Sequence, residues 1–167
     1  GGIETYVTRL GEGLAARGYP VTYFGRRGSA AAHRIRVDTP EALYDAARRQ
    51  NVDVLHLHKA VAVGPPEGLP TLRTVHDNGA TCPSGSRYLK RTGTPCPRTA
   101  SLPACLFGHY VDGCGSRRPG EVKRNFERWH ANQRVVSTLP TITVSHFLKG
   151  QMAAQGYPMD AVEVLRS

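Results

Sequence analysis

Residues 52–77 read VDVLHLHKAVAVGPPEGLPTLRTVHD, and two apolar runs inside them decide the fold. Val52 to Leu57 and Thr71 to Val75 are aliphatic and β-branched, without clean polar alternation. Strands of that kind are buried on both faces, as in parallel sheets covered by helices. Just upstream, Pro40 to Gln50 reads as a helix, with Thr39 as N-cap and Glu41 in its first turn.

The same alternation continues outward. Segment 3–18 places Ile3, Val7, Leu10 and Leu14 at helical spacing and stops at Gly18. Val21 to Phe24 then reads as a strand ended by Gly25. Past residue 118, a helix from Gly120 to about Val135 carries Val122, Phe126 and Trp129 on one face. Thr141 to Val144 is a strand, Ser145 caps a helix with Phe147, Leu148 and Met152 that closes at Gly156, and Val162 to Leu165 is a last strand. Strands alternating with helices predict an α/β fold with a Rossmann-like, doubly wound parallel sheet. Ligands of such sheets bind beyond the carboxyl ends of the strands.

Segment 78–118 breaks the pattern. It is rich in Gly, Pro, Cys, Ser and Arg, shows no periodicity, and reads as a long irregular insertion. Loops of that length are uncommon unless functional. One domain over 1–167, carrying the insertion 78–118, is the simplest organisation.

Bulk numbers exclude several classes. The 167 residues are 40% hydrophobic and 21% charged, a globular composition. No apolar run reaches the roughly 18 residues of a membrane span, and no signal peptide opens the chain. The first residue is Gly1, so the N-terminus reads as cut. The net charge of +9 favours anionic partners, but scattered basic residues argue against a nucleic-acid tail.

The candidate residues follow strands or fill the insertion. Gly1-Gly2 precede the first helix, where backbone N–H groups and the helix dipole suit a phosphate; a flexible end is the plain alternative. The spacing is not G-x-G-x-x-G, so NAD binding is unsupported. His56 and His58 point the same way from a strand end, as hydrogen-bonded histidines, metal ligands or acceptor contacts. His76 follows Val75, where reactive groups sit in this architecture, and Asp77 either orients it or forms the turn. No strand–turn–helix nucleophile accompanies them. Cys82, Cys96, Cys105 and Cys114, with gaps of 13, 8 and 8 residues, lack the close pairs usual for zinc. A structural metal, two disulfides and free thiols all stay open. Arg87, Lys90, Arg91, Arg98, Arg117 and Arg118 face one acidic residue, Asp112, within the insertion, forming a positive lid or a solvated loop. Phe126 and Trp129 sit among Lys123, Arg124, Arg128 and Arg134, a stripe for core packing or for an anionic membrane.

Taken in order, these stretches resemble the N-terminal domain of the retaining glycosyltransferases of GT-B architecture, family four. The resemblance rests on Gly-Gly-Ile-Glu at 1–4, Arg17-Gly18-Tyr19-Pro20-Val21-Thr22, the 52–58 run, Thr74-Val75-His76-Asp77 followed by Cys82-Pro83, and Thr143-Val144-Ser145 with Gly156. It implies sugar transfer from a nucleotide-sugar donor to a glycan, lipid-linked or small-molecule acceptor, with no cofactor required. Gly1 and Gly2 would approach the donor diphosphate. His76, with Asp77, would contact the transferred sugar. His58, Asn78, Arg87, Tyr88 and Ser145 would shape the acceptor side. The nucleotide would sit on a second Rossmann-like domain with paired glutamates, so this chain alone is expected to be inactive. The expected location is cytoplasmic, with peripheral contact at the inner membrane face, and no nucleic acid is expected. Two alternatives stand beside it: a zinc- or nucleic-acid-binding module built on the cysteines, and a sugar-nucleotide epimerase.

Overall fold

A computed structural model describes residues 2–26 and 34–165. Helix α1 (Gly2–Ala15) leads to strand β1 (Tyr23–Gly25), which pairs in parallel with β2 (Arg34–Arg36). Helix α2 (Pro40–Arg49) follows, capped by Thr39, whose side chain accepts from Ala42 N, as its sequence predicts. The central sheet has four parallel strands: β3 (Leu55–Leu57), β4 (Thr71–Val75), β7 (Thr141–Thr143) and β8 (Val162–Val164), adjacent in that order. Between β4 and β7 lie the β5 (Tyr88–Leu89) and β6 (Thr94–Pro95) hairpin, α3 (Leu102–Phe107) and α4 (Pro119–Val136). Helix α5 (His146–Ala154) links β7 to β8.

Several boundaries differ from the sequence expectation for physical reasons. The first helix ends at Ala15, and residues 16–18 form a turn closed by Gly18 at φ +85°. The run from Val52 shortens to Leu55–Leu57, because Val52 N is drawn to Ala47 O at the end of α2. Strand β2 is absent from the expectation, since Arg-Ile-Arg offers no apolar run. Segment 78–118 is not wholly irregular: it holds the hairpin, α3 and a π-helical turn, Gly108–Asp112. The expected continuous sheet is seen as two parallel pieces, β1–β2 and the four-stranded sheet.

Alternation along the strands sorts the faces. Leu55, Leu57 and Val75 point into the core. There they meet Tyr44 and Ala47 of α2, Val135 and Val136 of α4, and Leu148 and Met152 of α5. Each such fully buried aliphatic side chain contributes about 1.5–3 kcal/mol by leaving water. The Phe126–Trp129 stripe forms a separate apolar cluster with Val122: both rings are buried and pack on Ala100, Cys105 and Leu106. Those two side chains therefore do not dock on a membrane. No helix among the described residues is long and apolar enough to cross one.

Candidate active site

Parallel strands bring their carboxyl ends to one rim, so His58 (after β3), His76 (after β4) and Ser145 (after β7) emerge on the same edge. His56, His58, Thr74 and His76 share the face opposite the core. They bond across the β3–β4 boundary: His56 Nε2 to Thr74 Oγ1 at 2.7 Å, and His58 Nδ1 to His76 Nε2 at 3.0 Å. The His56 and His58 rings lie 4.0 Å apart. Tyr6, one turn into α1, meets His58 and His76 edge-on at centroid distances of 5.8 and 4.9 Å. The start of α1 thus stands beside the turn after β4. Gly2 is its first residue, and an added Cβ there would meet nothing within 4 Å. Gly1 lies outside the described residues.

Electrostatics keep these imidazoles neutral. Burial, with His76 nearby, lowers His56 to about 4. Burial lowers His58 to about 3, helped by His56, His76 and the Arg73 cation. Burial and Arg73 lower His76 as well, while Asp77 pulls the other way. A neutral imidazole is a poor proton acceptor at neutral pH but offers one donor and one acceptor. In the His58–His76 bond one ring must donate and the other accept. Nδ1 of His76 is left for a ligand at the rim.

Three sets of hydrogen bonds hold this rim. Arg73, 5% exposed, sits within β4 and donates from Nη1 to Lys59 O, tying the chain after His58 to the neighbouring strand. Burial lowers its pKa to about 10, so it stays charged. The connection from β3 to β4 is also gripped by α2, through Tyr44 Oη to Val63 O at 2.6 Å and Arg48 Nη2 to Glu67 O at 2.9 Å. Beyond His76, the buried carbonyl of Ala80 accepts from Trp129 Nε1 at 3.0 Å and Tyr157 Oη at 2.7 Å.

The remaining candidates divide by position. Asp77 caps the 3-10 turn Asn78–Ala80 by accepting from Gly79 N at 2.8 Å, which is the turn-forming alternative. Asn78 opens that turn. Ser145 caps α5, accepting from Leu148 N at 3.2 Å. Tyr88 is exposed on β5. Arg87 is 8% exposed and lines a different cavity, shared with Cys82, Cys96, Cys105 and Cys114. All four thiols are free. Asp112, 1% exposed, binds Arg91 and Arg98 at 3.0 and 2.7 Å, so part of the positive charge of this segment is neutralised within it.

Sequence reasoning brought His58 and His76 to one rim but missed their bond, and it missed Tyr6 and Arg73. A charge inside the apolar run Thr71–Val75 was the available signal for Arg73, since a buried cation needs dedicated partners. Nothing in the spacing links Tyr6 to residues 52 and 70 positions away.

The sequence matches the family model described as Glycosyltransferase Family 4 over residues 1–166. No curated protein sequence matches the chain, and no solved structure does.

Proposed function

The chain belongs to glycosyltransferase family 4, and from that premise we propose that it forms the acceptor-side lobe of a retaining, hexosyltransferase-type enzyme of GT-B architecture. The donor is a nucleotide sugar. The acceptor is a glycan, a lipid-linked sugar or a small molecule. A second Rossmann-like lobe holds the nucleotide, and transfer takes place between the two.

The observation that carries this reading is the His58–His76 pair on the strand rim, beside the N-terminus of α1. Glycosyl transfer breaks the bond from the anomeric carbon to the diphosphate and forms one to an acceptor oxygen, whose proton passes to the departing diphosphate. Negative charge builds on the departing phosphate. A helix N-terminus favours that charge through its dipole and its free N–H groups. Gly2 leaves the backbone there open to approach. His76 supplies a neutral hydrogen-bonding edge suited to a sugar hydroxyl, and its bond to His58 fixes the ring. Held in this way, the sugar meets the acceptor in a fixed orientation without a search, which is where much of the rate of such reactions arises. The net charge of +9 draws a phosphorylated donor to the lobe.

The test is turnover. The natural protein containing this chain is incubated with a panel of nucleotide sugars and with glycan, lipid-linked and small-molecule acceptors. Release of nucleoside diphosphate coupled to a glycosylated product with retained anomeric configuration is expected. Inverted product would overturn the retaining assignment, and no transfer from any nucleotide sugar would overturn the class.

A further inference from the structure

The four cysteines come from four separate places in the chain. Cys82 follows the 3-10 turn, Cys96 follows β6, Cys105 lies within α3, and Cys114 follows the π-helical turn. All four nevertheless line one cavity of about 20 Å³, between residues 81 and 114. A space of that size admits about one water-sized guest.

The backbone around it is tied in place. Cys96 N donates to Arg87 O at 2.8 Å and Cys114 N to Gly108 O at 3.0 Å, while Ser86 Oγ donates to Cys114 O at 2.6 Å. Space is kept for the side chains. A Cβ on Gly108 would lie 3.0 Å from Cys114 Sγ, and one on Gly115 would lie 2.5 Å from the His109 ring.

Two more lining residues are buried with polar atoms left over. His109 is fully buried, and its Nδ1 faces Ser116 O at 2.8 Å, so Nδ1 carries the proton. Its Nε2 has no partner among the described residues, and neither has Nε of Arg87. No ion pair with a carboxylate holds Arg87 among the described residues. A buried guanidinium without a counter-charge is costly, and so is an unpaired buried ring nitrogen. Four neutral thiols offer little compensation to either.

We propose that Cys82, Cys96, Cys105 and Cys114 bind one zinc-class divalent cation as four thiolates, a structural site that ties the separate turns of segment 78–118 to one another. The donor set suits a soft, tetrahedral ion. Four thiolates and one divalent cation leave a charge of −2, which supplies the missing counter-charge for Arg87. As the side chains stand, no three His, Cys, Asp or Glu residues among those described already form a chelating group. Holding the ion requires the four thiols to draw closer together than they stand. Binding releases the thiol protons, so affinity falls in acid. The segment gains a cross-link among its own turns, beside the apolar contact that Ala100, Cys105 and Leu106 make with α4. The site is independent of the transfer chemistry and stands or falls separately from it.

The chain is purified under reducing conditions with zinc present, its metal content is measured by plasma mass spectrometry, and the ion is then exchanged for cobalt(II). About one zinc per chain is expected, with the strong thiolate-to-cobalt charge-transfer band and visible absorption of tetrahedral sulfur coordination. Single Cys→Ser changes at the four positions should each lower the retained metal. A folded wild-type chain with four reactive thiols and no bound zinc or cobalt overturns the proposal. So does intact mass showing two disulfides, or a cobalt spectrum without the thiolate band. The wild-type spectrum decides the matter even if the serine variants do not fold.

Discussion

Nδ1 of His58 lies 3.0 Å from Nε2 of His76, a contact between the ends of two neighbouring parallel strands. Neither ring carries charge at neutral pH, because burial and the Arg73 cation disfavour both imidazolium forms. The bond therefore fixes which nitrogen of His76 is offered at the rim. In the proposed enzyme His58 is a positioning residue. His58→Ala should lower kcat of the natural protein by about 10- to 100-fold, since small misplacements of a reacting geometry have effects of that size. KM should change little, and His58→Asn, which keeps a donor and an acceptor, should recover part of the loss. Equal kcat in wild type and His58→Ala would contradict this role.

The same histidines make the fold acid-sensitive. His56 and His58 take up protons at about 4 and about 3 in the folded chain. In the unfolded chain they do so near the ordinary value of about 6.5. The unfolded state thus binds more protons between these limits. The stability they contribute is complete above about pH 6.5 and is lost as pH falls through the window toward about 3–4. In His58→Gln part of that loss should vanish. Urea midpoints at about pH 7.5 and 4.5, above and inside the window respectively, check it. An unchanged difference between the two pH values would show that other groups drive the acid transition.

Ala80 O accepts two buried donors, Trp129 Nε1 and Tyr157 Oη. Removing either donor, by Trp129→Phe or Tyr157→Phe, leaves the carbonyl satisfied by the other. Each should cost about 1 kcal/mol from this bond, with a further packing loss for the smaller ring at 129. Removing both leaves a buried acceptor without a partner, and that carries an added penalty of about 1–3 kcal/mol. The double variant should therefore exceed the sum of the singles in a double-mutant cycle read by urea unfolding. Strict additivity would mean that the two bonds do not share the work.

Core packing makes a simpler prediction. Met152 is 0% exposed between α5 and the sheet, whereas Val54 is 54% exposed. Met152→Ala should cost about 2–5 kcal/mol through the cavity it leaves, and Val54→Ala should stay within about 0.5 kcal/mol. Chemical denaturation followed by circular dichroism measures both.

Much of this architecture was legible in the residues. Runs such as Thr71–Val75 and caps such as Thr39 and Ser145 act locally, and each forms where its pattern predicts. The placement of His58 and His76 on one rim follows from parallel strands, so it too could be anticipated. What was hidden depends on packing between distant segments. Tyr6 reaches the histidines only because α1 lies on that face of the sheet, and Trp129 meets Ala80 across 49 positions. Strand β2 was hidden for the opposite reason, since its three residues carry two charges and gain their pairing from Tyr23–Gly25. Arg87, expected at the acceptor side, is buried at a positive φ of 45° and lines the cavity of the four cysteines, a placement its sequence neighbours do not signal.

The most direct measurement compares wild type and His76→Ala in the natural protein, using the nucleotide sugar and acceptor it turns over. A fall in kcat of about 100-fold or more is expected if this ring contacts the transferred sugar, in the range seen when a positioned catalytic group is removed. Transfer at the wild-type rate by His76→Ala would place the chemistry elsewhere and contradict the account.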